Sequence, residues 1–153
     1  MEVSFHSARC YICFKKFEIP VSAKSELGRI YIDYTNREFR CYLYKNSGNR
    51  ENIIGKYIDS DVELQVENDN TRGHVAIEML GVLADGNFKP VYSYINCPRC
   101  SLKFHSISRE STKKEKLNQL TFNFIKNKND EEMYAILVDR WNKDWVDYPD
   151  SIG

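Results

Sequence analysis

Four of the five cysteines fall into two matched pairs. "CYICFKKF" at 10–17 and "CPRCSLKF" at 97–104 both read Cys-x2-Cys-x2-Lys-Phe, so Cys10, Cys13, Lys16 and Phe17 correspond to Cys97, Cys100, Lys103 and Phe104. Two thiolates separated by two residues can grip one ion from a tight turn. The N–H groups of that turn can point at the sulfurs and offset their charge. A tetrahedral ion needs two such pairs. The repeat therefore predicts one four-cysteine site, with structural Zn2+ as cofactor and Cys10, Cys13, Cys97 and Cys100 as ligands. Redox or disulfide chemistry is the alternative. Thioredoxin-like sites place a single CxxC at a strand-to-helix junction, and two matched pairs fit that poorly. The spacer is long, but loop-closure entropy grows only logarithmically with length. Structural zinc contributes on the order of 10 kcal/mol in finger peptides, so the fold is expected to depend on the metal.

The elements that must position these pairs read mostly as strands. Residues 3–8 suit a lead-in strand. "RIYIDYT" and "FRCYLYK" flank a turn at "NRE", and Phe39, Cys41 and Leu43 alternate with Arg40, Tyr42 and Tyr44, which predicts a hairpin. "NSGN" is a turn signal. "NIIGKYI" and "VELQVEN" read as strands with "DNTRG" as a turn. "HVAIEMLGVLADG" reads as a long strand, with a helix as the close alternative. Asp85-Gly86-Asn87 then turns the chain into a strand over "FKPVYSYI". "SRESTKKEKLNQ" reads as a loop or short helix and "LTFNFIK" as a strand. "DEEMYAILVDRW" opens with acids that favour a helix N-terminus, although a strand also fits; the tail "NKDWVDYPDSIG" ends loosely.

The paired knuckles resemble zinc ribbons. With a strand-rich spacer they also resemble the β-tent group, the architecture of the Yippee and cereblon thalidomide-binding domains. The resemblance rests on Cys10, Cys13, Cys97 and Cys100, and covers the chain through the second knuckle. It implies two antiparallel sheets pinned together by the CxxC pairs. That group's ligand cage uses several Trp residues. Here Trp141 and Trp145 both follow the second knuckle, so the ligand site is not carried over. The glycine common after zinc-ribbon Cys pairs is replaced by Phe14 and Ser101.

Other residues could carry chemistry. Cys41, the fifth thiol, sits among apolar neighbours and reads as core. His74 precedes the second pair at a distance reminiscent of zinc deaminases, but the needed His-x-Glu is absent: the Glu is at 78, and Pro98 follows rather than precedes Cys97. His105 could replace one Cys as ligand or tune the site, but with four cysteines available it reads as an exposed polar neighbour. His6, His74 and His105 are too scattered for a nuclease core, and no phosphate loop or nucleophile elbow is present. Arg99, Lys103, Arg109, Lys113, Lys114 and Lys116, joined by Lys126 and Lys128, could face phosphates, with Tyr94 and Phe104 as stacking rings. A solvated face is the plainer reading, since Glu110 and Glu115 dilute the run. Asp59, Asp61, Glu63, Glu67 and Asp69 form an acidic stretch, continued by Asp144, Asp147 and Asp150 in the tail.

The totals bound the answer. The chain has 153 residues, 42% hydrophobic and 29% charged, with 10 Tyr and 8 Phe. That is enough for one globular domain, and the aromatics argue for strands. Formal net charge is +0, so no global field draws the chain to nucleic acid or membrane. No membrane span or signal peptide is evident, and the expected compartment is the reducing cytoplasm. The reading is a mainly β or α+β fold: antiparallel sheets clamped by a four-cysteine zinc site, with a C-terminal helix. Residues 1–153 form one domain, a two-knuckle core over 1–107 and an extension over 108–153 packed on it. The function expected is a non-enzymatic interaction module binding another protein. A nucleic-acid-binding protein and a zinc-dependent nuclease or deaminase are the alternatives. Oligomeric state is not readable.

Overall fold

The computed structural model describes residues 1–21, 27–46, 48–91, 95–103 and 105–147. The fold is α+β. Strands β1 (Glu2–Cys10), β2 (Lys16–Val21), β3 (Gly28–Asp33), β4 (Glu38–Leu43), β5 (Phe88–Pro90) and β6 (His105–Lys116) join helices α1 (Asn49–Ser60), α2 (Val62–Gln65), α3 (Asp69–Leu83) and α4 (Asp130–Asp147). The strands make two antiparallel three-stranded sheets, ordered β2-β1-β6 and β4-β3-β5. Two compact units result. Unit 1 is Met1–Ile32, Phe39–Lys45 and Val91–Gln119; unit 2 is Asp33–Glu38, Asn46–Pro90 and Leu120–Gly153.

Unit 1 is built on β1, the central strand of its sheet. Its buried positions are Val3, Phe5, Ala8 and Cys10, so the phase changes from odd to even. The change falls where the β1–β6 register shifts, on either side of His6. Bulges of this kind re-aim side chains, and Cys10 is fully buried at the end of the strand. Val3, Phe5, Ala8 and Ile19 join Ile30, Ile32, Cys41, Val91, Ile95 and Leu117 in one apolar core. The predicted β3–β4 hairpin is present. The alternation predicted for its second strand is not, because Cys41 and its neighbour Tyr42 are both buried on β4 while Phe39 and Leu43 are half-buried.

β6 corrects the sequence reading. The sequence predicts a loop or short helix over 108–119, yet His105–Lys116 is a twelve-residue strand. The reason is tertiary: β1 needs a second partner, and β6 supplies it from Cys10↔His105 to Glu2↔Lys116. Residues 106–116 are exposed, and a charged, Lys-bearing edge strand discourages pairing with other chains.

Unit 2 corrects it further. "NIIGKYI", "VELQVEN" and "HVAIEMLGVLADG", expected as strands, are helices α1, α2 and α3. The apolar spacing carries the signal: Ile53, Ile54 and Ile58 are buried together on α1, an i, i+1, i+5 set that fits a helix face and not a period of two. The expected turn "DNTRG" opens α3, where Asn68 Oδ1 accepts from the Thr71 N–H at 2.9 Å. Asp61 caps α2 likewise, accepting from the Glu63 and Leu64 N–H groups. Asn68, read as the end of a strand, and Asp61, read as part of an acidic stretch, are N-caps. "LTFNFIK" forms no strand; turns run over residues 123–127.

The expected C-terminal helix is present. The Asn129 carboxamide accepts from the Glu132 N–H at 2.8 Å, and the Glu132 carboxylate accepts from the Asn129 N–H at 3.4 Å, a reciprocal cap. Met133, Leu137 and Trp141 are buried at intervals of four along α4. Tyr94, Phe104, the side chain of Trp145 and residues 148–153 of the acidic tail lie outside the described residues.

Asp85 holds the run of turns in unit 2. Its carboxylate accepts from Thr121 Oγ1 (2.7 Å), the Asn123 N–H (2.7 Å) and the Phe124 N–H (3.0 Å). Burial works to raise its pKa, but these donors and the nearby Arg140 outweigh it and hold the group below its ordinary 3.8. The folded value is depressed, so the stabilisation is complete above 3.8 and is lost as pH falls through the lower folded value. Asp85→Ala is expected to destabilise unit 2 by about 2 kcal/mol at neutral pH, measured by urea denaturation. The deficit relative to the parent should shrink in strong acid.

Candidate metal centre

The two knuckles are alike in backbone as well as in sequence. Cys10 donates its N–H to the Lys15 carbonyl at 3.0 Å, and Phe14 donates to the Cys10 carbonyl at 3.1 Å. In the second knuckle Cys97 donates to Leu102 at 2.9 Å, and Ser101 donates to Cys97 at 2.9 Å. Each turn aims an N–H at its first sulfur: Ile12 at Cys10 Sγ and Arg99 at Cys97 Sγ, both at 3.4 Å. These donors stabilise a thiolate over a thiol.

The four sulfurs converge. Cys10 Sγ lies 3.5 Å from Cys100 Sγ, and Cys13 Sγ lies 3.5 Å from Cys97 Sγ. All four ligand atoms sit within 4.8 Å of one another. A tetrahedral ion with bonds of about 2.3 Å to sulfur needs S···S edges of about 3.8 Å, so the cluster is close enough to hold a metal ion. The 3.5 Å contacts join sulfurs of different pairs, which makes one four-point cluster rather than two separate dithiols. All five cysteines are free thiols.

The electrostatics fit a cation. Burial alone would raise Cys97, but the N–H groups of Cys100 and Arg99 bring it down to about 6. The Leu102 N–H pulls Cys100 down, yet burial and the sulfurs of Cys10, Cys97 and Cys13 push it up to about 12. The Cys13 N–H is the largest influence on Cys10 and lowers it. Sulfurs this close cannot all ionise without a compensating positive charge, and a divalent ion supplies it.

The residue after each pair stands in left-handed backbone, Phe14 at φ 61° and Ser101 at φ 63°. This is where glycine is favoured, and it accounts for the glycine of comparable knuckles. Ser101→Gly is expected to stabilise unit 1 by about 0.5–1 kcal/mol, read as a higher denaturation midpoint with unchanged metal content.

The remaining sequence candidates separate from this centre. Among the described residues the four cysteines form the one group able to hold a metal. His105 pairs in register with Cys10 and packs edge-on against Phe17 at 5.4 Å, its pKa lowered by burial. His6 Nδ1 lies 2.8 Å from the Ser108 carbonyl, while His74 and Glu78 stand on α3. Cys41 is fully buried, its thiol 3.6 Å from the Leu117 carbonyl and pushed up by burial. Arg99 and Lys103 lie on the second knuckle, exposed. Arg109, Lys113, Lys114 and Lys116 line β6. Lys113 is engaged internally, 3.2 Å from Glu18 and 3.4 Å from Glu115, with its ammonium 5.0 Å from the centre of the Phe5 ring. Sequence reasoning missed the exposed side chains of the first knuckle, Tyr11, Ile12 and Phe14. The signal was available: these are large apolar residues inside a turn too short to bury them.

No protein-family model, curated protein or solved structure matches this chain.

Proposed function

We propose that the protein is a zinc-stabilised, non-catalytic interaction module whose partner is another protein. The observation that carries this is the convergence of Cys10, Cys13, Cys97 and Cys100 Sγ within 4.8 Å. Four cysteine thiolates complete a tetrahedral shell and leave no position for substrate, the pattern of structural rather than catalytic zinc. A site made only of thiolates favours soft or borderline ions, and among the first-row metals zinc is the borderline one without redox chemistry. The turn N–H groups that reach Cys10 and Cys97 would orient those ligands and offset their charge.

Nucleic acid is the second reading, resting on Arg109, Lys114 and Lys116 exposed along β6 with Arg99 and Lys103 on the knuckle. The internal pairing of Lys113 and the opposition of Glu2 to Lys116 and Val3 to Glu115 weigh against a dedicated phosphate track.

The test is metal analysis of protein purified without added metal, followed by cobalt substitution. One zinc per chain and a tetrahedral tetrathiolate cobalt spectrum are expected. Cys13→Ser should lose the spectrum, and Cys41→Ser should retain it. Purified protein that holds iron, or that takes up no metal when offered it, would sink the reading.

A further inference from the structure

The first knuckle holds two residue choices that the metal does not require. Phe14 occupies left-handed backbone, φ 61°, and the residue is 69% exposed. A bulky residue in that conformation is strained, and glycine would remove both costs. Arg9 stands directly opposite Lys16 in the β1–β2 ladder. Like charges in that position repel. Departures from local consistency concentrate where a surface is used.

The surroundings say what would use it. Tyr11 is 63% exposed, Ile12 56% and Leu102 40%, so both knuckles present apolar side chains to solvent. Around them are five cations, Arg9, Lys15, Lys16, Arg99 and Lys103, all exposed, and residues 9–17 and 97–103 contain no Asp or Glu. None of the five makes an ion pair among the described residues. A chain of zero formal charge has therefore gathered five cations and no acid within its two knuckles. A tetrathiolate zinc centre would carry two negative charges and offset only part of the five.

We infer that the knuckle face, with Phe14, Tyr11, Ile12 and Leu102 as anchors and Arg9, Lys15, Lys16, Arg99 and Lys103 as rim, docks an acidic protein segment that carries apolar side chains. Aromatic anchors inside a charged rim are the composition of protein interfaces. The rim charges steer an acidic partner and set its orientation. Ile12 and Leu102 argue for a peptide over a nucleic acid, since aliphatic side chains fill pockets and receive side chains but do not stack on bases. The inference rests on the metal-clamped module proposed above and names the surface through which it acts.

The test uses the metal-loaded protein against a displayed library of random peptides, with a fluorescent synthetic copy of the strongest binder titrated by anisotropy. Enrichment of Asp or Glu beside aromatic or leucine residues is expected, with binding that weakens as salt rises. Phe14→Gly is expected to bind that peptide at least about tenfold more weakly, while its denaturation midpoint stays level or rises. Unfolding cannot mimic that pair of results. Lys15→Glu with Lys16→Glu should weaken binding and flatten its salt dependence. Cobalt spectra of every variant report the metal centre separately, so loss of metal is distinguishable from loss of the surface. Selected peptides without acidic bias, or unchanged binding by Phe14→Gly, would overturn the inference. So would oligodeoxythymidine binding that these variants abolish while peptide binding is spared. Concentration-dependent self-association removed by the same substitutions would assign the face to a second copy and overturn it equally.

Discussion

Cys97→Ser is expected to leave unit 1 unfolded at neutral pH, and a strong chelator should do the same to the parent protein. Cys97 is 1% exposed at the foot of the second knuckle. Its sulfur joins a cluster contributed from the end of β1 and from a turn far along the chain. Structural zinc in small domains contributes about 10 kcal/mol at pH 7, more than the few kcal/mol by which most domains are stable. A hydroxyl in place of one thiolate forfeits a large part of that. It also leaves three crowded sulfurs with less positive charge to balance them. Far-UV circular dichroism should show loss of strand signal, reversed in the chelated parent by zinc but not in the variant. Binding also needs the thiolates deprotonated, so the midpoint of chelator-induced unfolding should fall to lower chelator concentration as pH drops. Retention of strand signal in the metal-free parent would show that the β1–β2–β6 sheet stands without the ion.

Gly28→Ala is expected to cost at least about 3 kcal/mol, a larger penalty than most single substitutions bring. Gly28 begins β3. A Cβ there would sit 2.2 Å from the Tyr42 carbonyl oxygen and 3.1 Å from the Leu43 Cα. Both are backbone atoms of β4, so no side-chain rotation relieves the overlap. The strands must part, and β3 is the buried centre of its sheet. By contrast, Gly55 and Gly73 meet nothing within 4 Å of an added Cβ. Alanine at either should be neutral to stabilising, since glycine inside a helix costs up to about 1 kcal/mol. The three variants, compared by urea midpoint, separate a glycine required by close approach from two that are not. Equal midpoints for all three would refute the packing argument.

How much of this was legible in the chain follows from the range of each interaction. The knuckles are local motifs: a tight turn, two sulfurs and the N–H groups between them lie within one short stretch of chain. Their repeat predicted the cluster that the tertiary structure assembles. The β3–β4 hairpin and the start of α4 were legible for the same reason, through a turn between apolar runs and through acids ahead of an apolar stripe. The helical middle reads wrongly where β-branched and aromatic residues outweigh spacing. Ile53, Ile54 and Ile58 suit strands by type and helices by position, and position prevails because α1 buries them on one face. Asn68 and Asp61 read as a strand end and as part of an acidic stretch, because a capping oxygen is recognisable only once the start of its helix is known.

By itself, the sequence determined that two thiolate pairs would share one site, that Cys41 would be buried, and that the chain would combine antiparallel strands with a C-terminal helix. Only the tertiary structure decided the fate of "HSISRESTKKEK". Nothing in its charged, unpatterned residues favours a strand, and it became one because β1 offered an open edge from Glu2 to Cys10. Only the tertiary structure revealed that Phe14 stands exposed in left-handed backbone and that Arg9 faces Lys16. Conformation at one residue and register between two strands are set by the packing of the whole unit. A sequence pattern carries residue types and spacings, and neither quantity is among them.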